Sequence, residues 1–233
     1  MSVLSCTAEK AYRIRKMFLS DKVNKEGIYA VKLTKNGSPV TVIIDDHFPC
    51  RKDGRGDPTP IFTMAHGNEL WVLIMEKVWA KLHHCYHRII GGQCHQTFRD
   101  VTGAPAWEIM SKPEEGEDDV WEKIVEGEKK DYIMAAGVSQ NSEEEGERLQ
   151  QFGLVGGHAY GLLACATVRD KRGNSVRIVQ LRNPWGSFEW KGDWGDNSDC
   201  WTEEAKRQVH FSNADDGAFW MEFEEFRQFF TRI

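Results

Sequence analysis

Two apolar runs joined by a short turn cluster constrain this chain more than any other stretch. His158-Ala-Tyr-Gly-Leu-Leu-Ala-Cys-Ala-Thr-Val168 reads as a buried strand, and Ser175 to Leu181 as a second strand. Between them, Asp170-Lys-Arg-Gly-Asn174 supplies turn formers. With the turn centred near Lys171 and Arg172, facing residues have numbers summing to roughly 343. His158 and Asn183 then fall nearly opposite each other at the open end of the hairpin. Facing residues have Cβ atoms about 4.5–5.5 Å apart, within reach of an imidazole–carboxamide hydrogen bond.

That juxtaposition has a chemical use. A histidine that takes and returns a proton needs its ring orientation and tautomer fixed through its other nitrogen. A neutral Asn183 oxygen accepting from the Nδ1–H of His158 does this without a permanent charge pair. Cys-His-Asn is the thiol-nucleophile version of the catalytic triad. Trp185, two residues beyond Asn183, is placed to lay its indole over this contact and exclude water, which strengthens it. The plainer reading is a core histidine and a turn asparagine. Gly-Gly-His-Ala-Tyr (156–160) and Arg-Asn-Pro-Trp-Gly (182–186), at matched ends of one hairpin, favour the catalytic reading.

The rest of the chain reads as an ordinary globular sequence. It has 233 residues, 40% hydrophobic and 28% charged, with a net charge of −6. There is no basic footprint for nucleic acid, no apolar run long enough to span a bilayer and no signal peptide. The six cysteines lack any CxxC spacing, which suits reduced thiols and a cytoplasmic location. Thr7 is placed to cap a helix carrying Ala8, Ala11, Tyr12, Ile14 and Phe18 on its apolar side. Gly27–Leu33 and Val40–Asp46 are expected as strands joined at Asn36-Gly37-Ser38-Pro39, followed by a loop over 51–60. Asn68 is placed to cap a helix running to about His87. His83, His87, Cys94 and His95 have no second ligand pair at a standard interval, so no zinc is expected. A helix is expected over Val120–Glu128 and a strand over Asp131–Val138. The acidic runs Glu114–Asp119 and Ser142–Glu147 are expected as solvated loops.

Several segments, in order, resemble the calpain protease core: VIIDDHFP (42–49), GNELWVLIMEKVWAKL (67–82), IIGG (89–92), FRDVTGA (98–104), GLVGGHAY (153–160), RNPWGSFEWKGDWGDN (182–197) and DDGAFWMEFEEF (215–226). The resemblance implies a papain-like α+β fold, with a truncated helical lobe over 1–103 and an antiparallel β lobe over 104–233. It implies a calcium-dependent cysteine endopeptidase with His158 and Asn183 as catalytic residues, Trp185 as a shield and a protein or peptide as substrate. In this family the nucleophilic cysteine opens a buried helix, whose far end Ser2-Val-Leu-Ser-Cys6 resembles. The expected nucleophile therefore falls a few residues before Met1. Cys6 would lie roughly three turns further down the helix, as a core residue. On this reading the exact chain lacks its nucleophile and is inactive, an incomplete record of a longer chain that leaves room for further domains. The alternatives are a non-catalytic module that binds polypeptide and a calcium-responsive structural domain. Calpain-like cores bind one calcium ion per lobe. Glu189, Asp196 and Asp216, with the Ala214 carbonyl, match second-lobe ligands, although Ala218 stands where the family pattern carries another acid. In the first lobe Glu69 matches a ligand whose partners lie in the missing upstream segment.

Overall fold

The computed structural model describes residues 2–20, 22–64, 67, 69–111 and 116–233, with 117 described by its backbone alone. They group into two compact units, Thr7–Ala106 and Trp107–Ile233, the latter taking in Ser2–Cys6. Helix α1 (Ser2–Ala8) contains Thr7 inside its last turn, so Thr7 does not cap the next helix as the sequence suggested. Helix α2 (Ala11–Arg15) is short, and Tyr12 is exposed on it.

In the first unit, β1 (Ile28–Lys35) and β2 (Ser38–Asp45) pair antiparallel, Lys35 facing Ser38. Asn36 and Gly37 both take positive φ, 52° and 79°, as a two-residue type I′ hairpin requires. Tyr29, Val31 and Leu33 alternate inward and meet Val42 and Ile44 in the core. The expected loop over 51–60 contains a small hairpin, β3 (Cys50–Lys52) with β4 (Pro58–Pro60). Helix α3 (Trp71–Leu82) buries Ile74, Met75, Val78 and Ala80. It is tied to β2 by Lys77 Nζ on Asp45 Oδ1 (2.6 Å) and Lys81 Nζ on the Ile43 carbonyl (2.7 Å). The helix ends at Leu82, not near His87, because His84 adopts φ 79° and breaks the ladder. His83 and His87 therefore share no helix face. Asn68, expected as its cap, lies outside the described residues. A 3₁₀ turn (Tyr86–Ile89) leads to α4 (Cys94–Thr102), which stops at the left-handed Gly103.

The second unit is one five-stranded antiparallel sheet with helices packed on it. Its elements are α5 (Glu117–Lys129), β5 (Met134–Val138), α6 (Glu143–Gln151), β6 (His158–Arg169), β7 (Ser175–Arg182), α7 (Glu203–Gln208), β8 (Ala218–Glu222), α8 (Phe223–Phe229) and β9 (Phe230–Arg232). The strand order is β8-β7-β6-β5-β9. Alternate residues of β7 and β8 bury on opposite faces. Val179, Leu181, Phe219 and Met221 join Tyr160, Leu162, Phe223, Phe226 and Phe230 on one face. Ile178 and Trp220 join Val168, Trp194 and Trp201 on the other. The acidic run at 142–147 is helical rather than a loop. Ser142 Oγ accepts the Glu145 N–H (3.1 Å), Glu145 returns a bond to the Asn141 N–H (2.7 Å), and Glu143 to Glu145 fill the first turn, where the helix dipole favours them. Of the other acidic run, residues 117–119 enter α5 behind its N-cap Gly116, while Glu114 and Glu115 lie outside the described residues. Among the described residues no helix is long and apolar enough to cross a membrane.

Candidate active site

The hairpin forms as its sequence requires, with one shift. Gly161 faces Arg182 and Leu162 faces Leu181, and a bulge between Leu162 and Ala164 offsets the rest of the ladder by one residue. Continued past Arg182, the open-end register would set Tyr160 opposite Asn183. His158 therefore reaches Asn183 along the diagonal, a second class of cross-strand neighbour. The other side of His158 is fixed by β5, where it pairs with Val138.

Asn183 is fully buried. Its Nδ2 donates to the carbonyls of Ser187 (2.9 Å) and Phe188 (3.1 Å), which uses both amide hydrogens and turns Oδ1 toward the histidine. Oδ1 accepts from the Trp185 backbone N–H (3.2 Å) and stands 3.2 Å from His158 Nε2. Because Oδ1 can only accept, Nε2 carries the proton and the Nδ1 lone pair is left for another partner. This reverses the expected assignment, in which Nδ1–H met the asparagine. The sequence places the two residues together but says nothing about how χ2 of the ring is set.

His158 is half-buried, and burial lowers its pKa below the ordinary 6.5, with the Asn183 hydrogen bond pulling the other way. The imidazole is therefore neutral near pH 7 and able to accept a proton. The Trp185 ring lies 4.9 Å from the His158 ring, tilted by 46°, with Trp185 itself 60% exposed. Trp190, Trp194, Trp201 and Trp220 are all buried, as core pieces.

Cys6 is buried against β6, and a methyl group on Gly161 would stand 3.2 Å from its sulfur. Gly161 and His158 are three residues apart on a regular part of the strand, so they project to opposite faces. Cys6 is thus on the wrong side of β6 to meet His158 Nδ1.

The three acidic residues named for the second unit do gather. Glu189 Oε1 accepts the backbone N–H groups of Asp216 (3.1 Å) and Gly217 (2.7 Å). Both Asp196 carboxylate oxygens are buried with no donor. Burial first, then the charges of Glu189 and Asp216, push the Asp196 pKa up to about 7. Burial also raises Glu189. Bare oxygens beside two further carboxylates fit a hard cation by charge and donor type. Their side chains do not close on one point: among the described residues no three acidic, histidine or cysteine groups enclose a metal position. Part of the reason is that Glu189 Oε1 is already held by backbone, and that Asp216 Oδ1 accepts the Ala218 N–H at 2.9 Å. The Ala214 carbonyl accepts from Asp216 N at 2.8 Å. Glu69 stands exposed in the first unit and accepts from the Trp71 indole N–H at 3.1 Å.

Two contributors are not anticipated from the sequence. The Gly217 carbonyl accepts the Asn183 backbone N–H at 2.8 Å, bringing β8 into the site. Tyr160, two residues after His158 on the same strand face, touches its ring edge-on at 5.2 Å. An i, i+2 pattern could have marked the tyrosine, but no residue type marks a carbonyl.

Comparison with known proteins gives the family. The family described as calpain family cysteine protease matches residues 1–233. A calpain-type cysteine protease from Oryza sativa subsp. japonica, ADL1, is 34% identical over 100% of this chain and 10% of its own length. DEK1 of Arabidopsis thaliana is 34% identical over 95% of the chain and 10% of its own length. The human calpain-2 catalytic subunit is 30% identical over 99% of the chain and 32% of its own length. The chain thus spans about a tenth to a third of the length of these relatives. With a papain-like α+β fold and a match across all of its residues, this chain belongs to the calpain family of cysteine proteases.

Proposed function

We propose that this chain supplies the general acid–base half of a calpain-type cysteine endopeptidase. The observation that supports it is the buried Asn183 carboxamide, locked by two carbonyls and aimed at Nε2 of a neutral His158. With Nε2 committed, Nδ1 faces the thiol. It takes the proton of the attacking cysteine as the sulfur adds to the peptide carbonyl, then returns that proton to the leaving amine. Asn183 keeps the ring from rotating between the two transfers. Trp185 limits water at the hydrogen bond. Cys6 is not that thiol. A thiolate nucleophile suits a reducing compartment such as the cytoplasm.

Calcium is part of this reading. Asp196, Glu189 and Asp216 would hold it only after their carboxylates turn toward a common point, with the Ala214 carbonyl as a backbone donor. Bound there, it would neutralise three crowded carboxylates and brace the loop that carries Asn183.

The test is cleavage of fluorescein-labelled casein by the protein at its native length, with and without calcium. Cleavage that is lost on thiol alkylation and in His158→Ala supports the proposal. Turnover that survives His158→Ala, or a wild-type protein that cuts nothing under either condition, sinks it.

A further inference from the structure

We infer that Tyr160 is a positioning residue for His158, holding the loop that delivers the imidazole through its hydroxyl and bracing the ring with its own. Its catalytic consequence rests on the protease reading above.

Tyr160 has 0% of its surface exposed. Its ring is wedged edge-on between Phe219 (6.0 Å, 78°) and Phe230 (5.3 Å, 84°). A phenol clamped this way has one place for its oxygen, and there it accepts the backbone N–H of Val155 at 2.8 Å. Burial pushes the hydroxyl pKa up to about 12, so it stays a neutral phenol throughout the working range.

That one bond closes residues 155–160 into a loop containing Gly156, Gly157 and His158. Paired glycines carry the largest backbone freedom to lose, and Gly157 sits at φ 65°. Without an anchor, the segment entering β6 would sample many conformations. The upstream end is fixed separately, by the Leu154 N–H on the Leu149 carbonyl at 2.9 Å. Gln140 also fills the space over Gly156, where a Cβ would come within 2.4 Å of its side-chain oxygen. Between these supports, the Tyr160 hydroxyl is the contact that ties the loop to the same strand face as His158. The 83° ring contact then leaves the imidazole little room to swing away from Asn183. Tyr160 acts only through His158 and needs no contact with substrate.

The test is ¹⁵N NMR of the histidine ring in the whole chain, wild type against Tyr160→Phe, which keeps the aromatic ring and removes only the acceptor. In the wild type, His158 should titrate below the ordinary imidazole value with its proton on Nε2. In Tyr160→Phe its pKa should move up toward that value and the Nε2–H signal should broaden or vanish. A folded, merely less stable Tyr160→Phe whose His158 titrates unchanged would overturn the inference. If Tyr160→Phe does not fold, wild-type amide exchange decides. Slow exchange at Val155 supports the anchor, and exchange as fast as that of exposed Gly157 refutes it. Neither readout depends on turnover, so both decide the role of Tyr160 even in a chain that proves not to be a protease. In the protein at native length, Tyr160→Phe should lower kcat about 10-fold with KM unchanged, as misplacement of a catalytic group does.

Discussion

The carbonyl of Gly217 accepts the backbone N–H of Asn183 at 2.8 Å, and the next contact outward is the Glu189 carboxylate on the N–H of Gly217 at 2.7 Å. Asn183 is therefore gripped from three directions: by β7 behind it, by the turn before β8, and by the Ser187 and Phe188 carbonyls ahead. A carboxamide held this way presents its oxygen to His158 with little freedom to flip. The same turn carries Asp216, so the acidic cluster and the His158–Asn183 pair share one piece of backbone.

Removing the Asn183 carboxamide should cost both order and chemistry. Asn183→Ala takes the donor from the carbonyls of exposed Ser187 and half-buried Phe188, two part-buried bonds, for about 1–3 kcal/mol in all. At roughly 2–4 °C per kcal/mol for a chain of this size, the melting temperature should drop by several degrees. Turnover at native length should fall by about 10²–10⁴-fold, the range for acid–base machinery left without its orienting group. Asn183→Asp should raise the pKa of His158, because a carboxylate favours imidazolium. NMR titration of His158 checks this, and an unchanged pKa would count against the contact.

Gly153 admits no side chain. Its φ is 80°, and a Cβ there would lie 1.8 Å from the Glu189 carbonyl oxygen. Gly153→Ala adds left-handed strain to a backbone clash and should destabilise by at least about 2 kcal/mol. Denaturant unfolding of the two proteins side by side measures it. A loss within error would mean the two loops are not packed as described.

Acid should stabilise the second unit through Glu225. Its carboxyl is raised to about 7 by burial first, then by Asp193 and Glu222. In the unfolded chain it titrates near 4.5, so between those values the native state binds more protons. Stability from this group is thus complete below the unfolded pKa and is lost as pH rises through about 7. The group is partly exposed, so solvent screening leaves roughly 1 kcal/mol. Glu225→Gln should flatten the fall in melting temperature between about pH 4.5 and 7. An equal slope in both proteins would remove Glu225 as its source.

Calcium should raise the melting temperature of the wild type, by RT ln(1 + [Ca]/Kd) of binding energy. Asp196→Asn should abolish that increment. In the metal-free protein the same change should itself stabilise near neutral pH, since Asp196, at a pKa of about 7, resists ionisation there. Scanning fluorimetry with calcium or a chelator reads both effects. No calcium shift in the wild type would retire the acidic cluster as a cation site.

Much of the fold was legible because its signals are local. Asn36-Gly37 can hardly be anything but a tight hairpin turn, and alternation in β1 and β2 fixes which face is inward. The 158–181 hairpin carries its own turn residues and buried runs, and their spacing alone puts His158 and Asn183 within reach of each other. The misreadings were local too. The helix after Trp71 stops early because His84 takes a left-handed backbone, which no periodicity announces. The glutamates after Ser142 form a capped first turn, which a rule about charge runs overlooks.

What the sequence determined by itself was the hairpin, the strand alternation and the pairing of one histidine with one asparagine, since nearest-neighbour sterics and hydrophobic periodicity suffice for these. What only the tertiary structure decided was which imidazole nitrogen meets Asn183, which face of β6 Cys6 covers, and that the Gly217 carbonyl and the Tyr160 hydroxyl hold the pair in place. Those depend on side-chain rotamers and backbone groups brought together from distant parts of the chain, and such meetings leave no mark on residue types or their spacing.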